Sequence, residues 1–348
     1  MIPARRGAAA EGSDLPPQTL RRSFWDAISW LAVSKLLTQA LGFGRSIILA
    51  RLLAPDDYGL WGMATLVLSG IFAMTHFNLG ASAVAHRFES ESELRRSLDT
   101  IWTADLFRRA AISIVLALLA QPASAYFGDR RLFPVLLIVS AYPLALGFEN
   151  IGMWRLHKEM SFRRVAVQQQ TAELVTTVLA VWLAWATRDY TALVAGQWAH
   201  ALCVVGLSYV VCEYRPRLQI DRAALRRSFD FGKHMFIIGV LGFVMTQFDN
   251  LVVGRYLGAS VLGLYILAYR LVTLPGEFAG SVFATVLFPL FAKVSHEQPD
   301  KAMRALFPAA SAVAMMLIGI LGPVKLAAGP IVHLVYGSKW EAAVPFLS

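Results

Sequence analysis

Lys35, Arg45, Glu173, Asp249, Arg270 and Glu277 stand inside runs that are otherwise apolar. A charge in such a run is costly, which makes each one a functional candidate by default. The cations could hold a fixed anion, and the planar fork of Arg270 suits phosphate oxygens better than an ammonium does. Asp249, Glu277 and Glu173 could carry a proton or a sodium ion, because a carboxyl in a low-dielectric site titrates near neutral pH.

Spacing groups these residues. Lys35, Thr38, Gln39, Gly42 and Arg45 fall within an arc of about 120° at 100° per residue, a polar stripe on one helix. Gly263, Arg270, Thr273, Glu277 and Ser281 recur on one side of another, and Pro275 offers that helix a kink. Gln168, Gln169, Gln170, Glu173 and Thr177 polarise a third, as contacts between helices or with a polar ligand. Two readings stand for several of them. Lys35 lines a cavity or snorkels to the interface, Arg45 is a ligand or gate or pairs with another helix, and Arg270 binds an anion or closes an internal salt bridge.

The sequence contains no Gly-Lys-Ser/Thr phosphate loop, metal-spaced His cluster or Gly-X-Ser-X-Gly elbow, which argues against an ATPase or a hydrolase. The longest internal polar segment, 213–233, is mainly basic. A membrane glycosyltransferase or ligase, the enzyme alternative, generally needs a polar loop carrying catalytic acids. No metal or organic cofactor is expected, and the coupling ion, H+ or Na+, stays open.

The elements that must position these residues are membrane helices. The chain has 348 residues, 57% hydrophobic and only 16% charged, against about 25% charged in an ordinary globular protein. A mean hydropathy of +0.54 completes the picture of an all-α polytopic membrane protein. Spans of roughly 20 apolar residues are predicted near 27–50, 59–79, 104–122, 132–154, 166–186, 190–212, 235–254, 261–286 and 306–335. Residues 1–24 read as a flexible cytoplasmic tail, 25–212 as an N-lobe of six helices, 213–233 as a basic cytoplasmic linker, and 234–348 as a partial C-lobe.

With the amino terminus inside, 20 of the 32 Lys and Arg residues fall in inside segments, 7 outside and 5 within spans. That asymmetry follows the positive-inside rule and accounts for the net charge of +9 without nucleic acid. Asp105 and Arg109 have the order of a local i, i+4 pair.

An internal repeat is the most informative feature. A shift of 204 positions lays residues 47–61 over 251–265, matching Arg51 with Arg255, Leu53 with Leu257, Gly59 with Gly263 and Trp61 with Tyr265. A second echo links Tyr126-Phe-Gly-Asp-Arg-Arg131 to Val335-Tyr-Gly-Ser-Lys-Trp340. The first repeat holds six spans, an even number, so the halves enter the membrane from the same side. The alignment predicts that roughly three carboxyl-terminal spans are missing. It also makes Arg45 the counterpart of Asp249, and the opposite charges predict a bridge between the lobes in one state.

Ala50-Arg-Leu-Leu-Ala-Pro-Asp-Asp-Tyr-Gly-Leu-Trp61, Asp249 to Gly258, Gly263 to Arg270, Leu287-Phe-Pro-Leu-Phe291 and Tyr336-Gly-Ser-Lys-Trp340 resemble the polysaccharide transporter family. That family holds the Wzx-type O-antigen and exopolysaccharide flippases of the MOP superfamily. The resemblance covers about residues 25–348. It implies a two-lobed flippase of the bacterial inner membrane, moving undecaprenyl-diphosphate-linked oligosaccharide between leaflets by alternating access. Membrane lipid, the lipid-linked sugar, and polysaccharide polymerase or assembly proteins are the implied partners. The substrate-facing candidates are Arg270, Arg45, Lys35, Gln39 and Thr273, and the coupling or gating candidates are Asp249, Glu277, Glu173 and Pro275. A drug or cation antiporter, a peptidoglycan-precursor flippase and a non-transporting scaffold are the alternatives.

Overall fold

The computed structural model describes residues 17–75, 90–159, 161–282 and 299–347. Residues 1–16 of the tail and the 287–291 motif lie outside them.

The described chain is helical. Helix α1 (Pro17–Leu52) begins inside the 1–24 segment and turns sharply at Leu53-Ala54 into α2 (Pro55–Met74). Pro55 suits the first turn, where its missing N–H costs nothing, and Asp57 accepts the Ala54 N–H at 3.1 Å. Helix α3 (Glu91–Phe127) starts at a Ser90 cap whose hydroxyl accepts from Glu93 N and ends at the left-handed Gly128.

Residues 132–154, expected as one span, are broken. They form α4 (Leu132–Ser140), α5 (Tyr142–Gly147) and the start of α6 (Gly152–Lys158). Pro143 removes a backbone donor where the helix would continue, and the Asn150 side chain accepts from Gly152 N and donates to Tyr214 O. Helices α7 (Phe162–Thr187) and α8 (Thr191–Val211) complete the N-lobe.

The next segment is an ordered strap rather than a loose linker. Residues 212–221 run extended along α3, where Asp99 accepts from Arg217 N, Thr103 from Gln219 N and Thr100 from Asp221 N. Side chains of α3 thereby satisfy a backbone that has no ladder of its own.

Helix α9 (Arg222–Val282) is continuous by hydrogen bonding but not straight. Gly258, at φ 80° and ψ −179°, occupies a region essentially reserved for glycine. Asp249 and Tyr265 would lie about 24 Å apart along a straight helix, yet their side chains hydrogen-bond at 2.6 Å. The element is therefore a hairpin, with first and second limbs before and after Gly258. Its limbs match the predicted spans 235–254 and 261–286, and by the repeat they stand in the second half where α1 and α2 stand in the first. The remainder is α10 (Pro299–Leu326), α11 (Ala328–Tyr336) and a 3-10 stretch, Ser338–Leu347.

Among the described residues, α2, α3, α8 and the Met235–Glu277 hairpin are long and apolar enough to cross a membrane. The α10–α11 pair, bent by 85°, supplies a broken fifth candidate. Helices α1 and α7 are not among them; they carry the polar stripe and the glutamine run. The chain is a multi-pass membrane protein.

The core lies where α2 packs on the second limb of α9, with Leu60, Met63 and Leu262 fully buried. Contacts obey the repeat. Gly59 faces the backbone of Ala259 and Gly263 faces that of Pro55; a Cβ at either glycine would overlap a carbonyl. Because 55 and 259 are themselves equivalent, the two contacts exchange partners as they do across a two-fold axis.

Candidate functional site

Polar side chains join α1 to α7 in the N-lobe. The amide of Gln170 on α7 donates to Thr38 Oγ1 at 2.8 Å and to Ser34 on α1, binding the two helices. One turn further, Arg45 and Glu173 form an ion pair at 2.8 Å with side chains 25% and 15% exposed. His200 on α8 interacts electrostatically with both members. Gln39 Oε1 is buried without a partner among the described residues, whereas Lys35 is exposed.

A second polar group lies on the α9 hairpin. Asp249 accepts from the Tyr265 hydroxyl at 2.6 Å and from Asn250 N at 2.8 Å. The Asn250 amide donates to Gln247 Oε1 at 3.0 Å, which leaves its own oxygen buried and unpaired. Arg270, Thr273, Glu277, Thr246, Gln247 and Asn250 share a cavity of about 260 Å³ with Gly62 and Thr65 of α2.

Arg270, which lines that cavity, also reaches α1. Its Nη2 lies 3.7 Å from where a Cβ of Gly42 would stand, one turn before Arg45, and its Nε is buried without a partner among the described residues. Both Arg45 and Arg270 act electrostatically on the buried Tyr58. No ion pair of Arg270 occurs among the described residues. Pro275 lies on the second limb below Thr273, within the helix.

The structure brings Arg270, Thr273, Glu277 and Asp249 to one hairpin and Gln39, Arg45 and Glu173 to the facing helices. The expected Arg45–Asp249 bridge is absent from this state; each residue is held within its own lobe, by Glu173 and Tyr265. Asp105 does pair with Arg109 at 2.6 Å, and with Arg108 at the same distance. Helical spacing gives no signal for Glu149, in the break after α5, which accepts from Gln168 at 3.4 Å and has Arg109 nearby. Its place next to Asn150 in an expected span end hid it.

One end of the bundle is sealed. Arg51 donates to the Leu334 and Val335 carbonyls at the end of α11, while Lys339 Nζ and Trp340 Nε1 donate to Leu53 O and Ala50 O at the end of α1. Donors thus satisfy the orphan carbonyls of both helix ends. In the other half Arg255 lies 5.2 Å over the ring of Tyr126, the counterpart of Val335 in the second echo. The arginines shared by the repeat therefore each clamp the opposite half. Burial, with the charge of Arg188 nearby, holds the Lys339 ammonium below its ordinary pKa. Hydrogen bonds from Arg131 hold the Asp129 carboxyl below the usual carboxylate range.

A family model described as polysaccharide biosynthesis protein matches residues 48–345. The chain belongs to that family. The succinoglycan biosynthesis transport protein ExoT of Rhizobium meliloti (strain 1021) is 27% identical over 323 residues, covering 92% of this chain and 64% of ExoT. The lipopolysaccharide biosynthesis protein WzxC of Escherichia coli (strain K12) is 22% identical over 343 residues, covering 94% of this chain and 66% of WzxC. The chain thus spans just under two thirds of the length of these curated relatives.

Two solved structures share its fold. The lipid II flippase MurJ, in an inward closed conformation, aligns with TM-score 0.69 and 15% identity over 90% of this chain and 70% of its own. An inward-facing MATE family multidrug resistance transporter of the MOP superfamily aligns with TM-score 0.65 and 16% identity over 90% and 78%.

Proposed function

We propose that this polysaccharide transporter is a flippase that moves an undecaprenyl-diphosphate-linked oligosaccharide from the cytoplasmic to the periplasmic leaflet of a bacterial inner membrane. The observation that carries the reading is Arg270, a guanidinium between the lobes with a buried, unpaired N–H and no carboxylate partner among the described residues. A partly buried cation with an unmet N–H is costly unless an anion meets it, and a diphosphate headgroup supplies one while its lipid tail stays in the bilayer. ExoT and WzxC, named for transport and lipopolysaccharide biosynthesis, support the same substrate class.

The positive-inside distribution supports an amino terminus in the cytoplasm, with the sealed end then toward the periplasm. Alternating access then requires the Gly59–Gly263 interface to part while the cytoplasmic side closes. Glu173, Asp249 and Glu277 are the coupling carboxylates for H+ or Na+. Protonating Glu173 frees Arg45 to join Arg270 on the headgroup. Polysaccharide polymerase or assembly proteins receive the product on the far side.

Complementation of a deletion strain tests the reading, with lipid-linked units and surface polysaccharide measured together. Full-length lipid-linked units accumulating on the cytoplasmic leaflet, with surface polymer lost, support it. Incomplete or absent units assign the protein to synthesis instead.

A further inference from the structure

The strap at 212–221 has one satisfied edge and one open edge. Toward α3 every second residue is met: Arg217 N donates to Asp99 at 3.0 Å, Gln219 N to Thr103 at 3.1 Å and Asp221 N to Thr100 at 3.0 Å. In extended backbone the N–H and C=O of successive residues point to opposite edges. Those of Leu218 and Ile220 therefore face away from α3, and neither N–H has a partner among the described residues. Pro216, the preceding position on that edge, has no N–H to leave open. Side chains alternate as well: Leu218 and Ile220 share one side and are 70% and 60% exposed, while Arg215 and Arg217 share the other.

The charge at this edge is positive. Arg217 and Arg222, the first residue of α9, are exposed and have no carboxylate partner among the described residues. Of the two nearby acids, Asp221 caps α9 by accepting from Ala223 N, and Glu213 stands at the far end of the strap among Arg95, Arg155 and Arg164. The position is the boundary of the bilayer. Phe107 lies one turn beyond Thr103 on the same face of α3, and Ile114 and Leu118 continue that row at helical spacing, all three exposed on a helix long and apolar enough to cross a membrane. A phosphodiester at the membrane surface fits this combination. Its oxygens only accept, so they meet guanidinium groups and open N–H groups, while acyl chains cover the apolar side. A zwitterionic headgroup adds an ammonium that the arginines repel, so a net negative lipid is preferred. An acidic peptide could pair with the same edge, but its own outer edge would then face the lipid-exposed row, where backbone groups find no partners.

We infer that the open edge of the strap is a binding site for anionic phospholipid of the membrane itself, a resident lipid and not a transported one. Arg217, Arg222 and the N–H groups of Leu218 and Ile220 hold the headgroup phosphate, and the two apolar side chains lie among the acyl chains. The inference stands apart from the flippase reading, since it needs only the strap and the membrane. The strap is also the covalent link from the N-lobe to α9, so the lipid composition of the leaflet bears on how firmly that link is held.

Amide hydrogen exchange on the 348-residue chain in lipid nanodiscs tests it, comparing phosphatidylcholine alone with phosphatidylcholine containing phosphatidylglycerol. In neutral discs the amides of Arg217, Gln219 and Asp221 should exchange slowly and those of Leu218 and Ile220 fast. Phosphatidylglycerol should slow Leu218 and Ile220 by about tenfold or more. Arg217→Gln combined with Arg222→Gln should reverse most of that slowing, because each cation at an anionic surface contributes about fivefold. The double variant should keep slow exchange at Gln219 and Asp221 in neutral discs, which shows that its strap is still docked on α3. Slowing that is equal in the two lipids, or that survives the double variant, overturns the inference. Equal protection by inorganic phosphate in neutral discs would make this a site for a free anion, and protection by added polyglutamate with none from phosphatidylglycerol would make it a peptide edge. Either result also overturns the lipid assignment.

Discussion

Gly59 and Gly263 hold the same place in the two halves, 204 positions apart, and each lies against the other half's backbone, Gly59 on Ala259 and Gly263 on Pro55. The local sequence signal of the repeat is thus the signature of one pseudo-symmetric contact. Gly59→Ala should cost about 1–3 kcal/mol by overpacking, concentrated in the state where this contact is closed. Cross-linking between Ala54→Cys and Lys339→Cys, in a background lacking Cys203 and Cys212, should fall in Gly59→Ala. Unchanged cross-linking would show that the interface tolerates the extra methyl.

Arg45 and Glu173 should behave as one unit. Each single change, Arg45→Gln or Glu173→Gln, leaves a partly buried charge without its partner, so the double mutant should be less destabilised than the two singles sum to. A coupling of about 0.5–3 kcal/mol is expected from a denaturation cycle. The same cycle on Arg45 and Asp249 should give a coupling near zero in this state.

Trp340 is fully buried, donates to Ala50 O at 2.7 Å and packs edge-on against Tyr58 at 5.4 Å. Trp340→Ala should destabilise by about 3–5 kcal/mol. Trp340→Phe keeps part of the packing but leaves a helix-end carbonyl unmet, at about 1–3 kcal/mol. Thermal unfolding in detergent should rank the three proteins in that order.

Asp129 sets an acid limit on the sealed end. Its carboxyl titrates below the ordinary value because Arg131 donates to it, so the folded state binds a proton less readily than the unfolded chain. The stability it contributes is complete above the ordinary carboxylate value of about 3.9 and is lost as pH falls through the depressed one. Arg131→Gln should reduce that acid dependence, read from unfolding temperature against pH.

Hydropathy and the repeat made most of the architecture legible, including the two α9 limbs, because both depend on local composition. The break at 141–151 escaped, since Pro143 and the Asn150 cap interrupt a run whose average hydropathy stays high. The strap at 212–221 escaped for the opposite reason: its hydrogen bonds go to Asp99, Thr100 and Thr103, more than a hundred positions away. Helical spacing placed Arg45 and Arg270 on polar faces, but a period names a face and not the neighbour across from it. Glu173 and Gly42 became their neighbours only through the packing of α1 against α7 and α9.

The central claim is that Arg270 meets the anion of a lipid-linked sugar during translocation. The most direct test is the movement of lipid-diphosphate-linked oligosaccharide across proteoliposomes, without added enzyme, for wild type and Arg270→Gln. The account predicts movement by the wild type and a loss of about tenfold or more in Arg270→Gln, with an unchanged unfolding temperature. Movement by Arg270→Gln at the wild-type rate would contradict it.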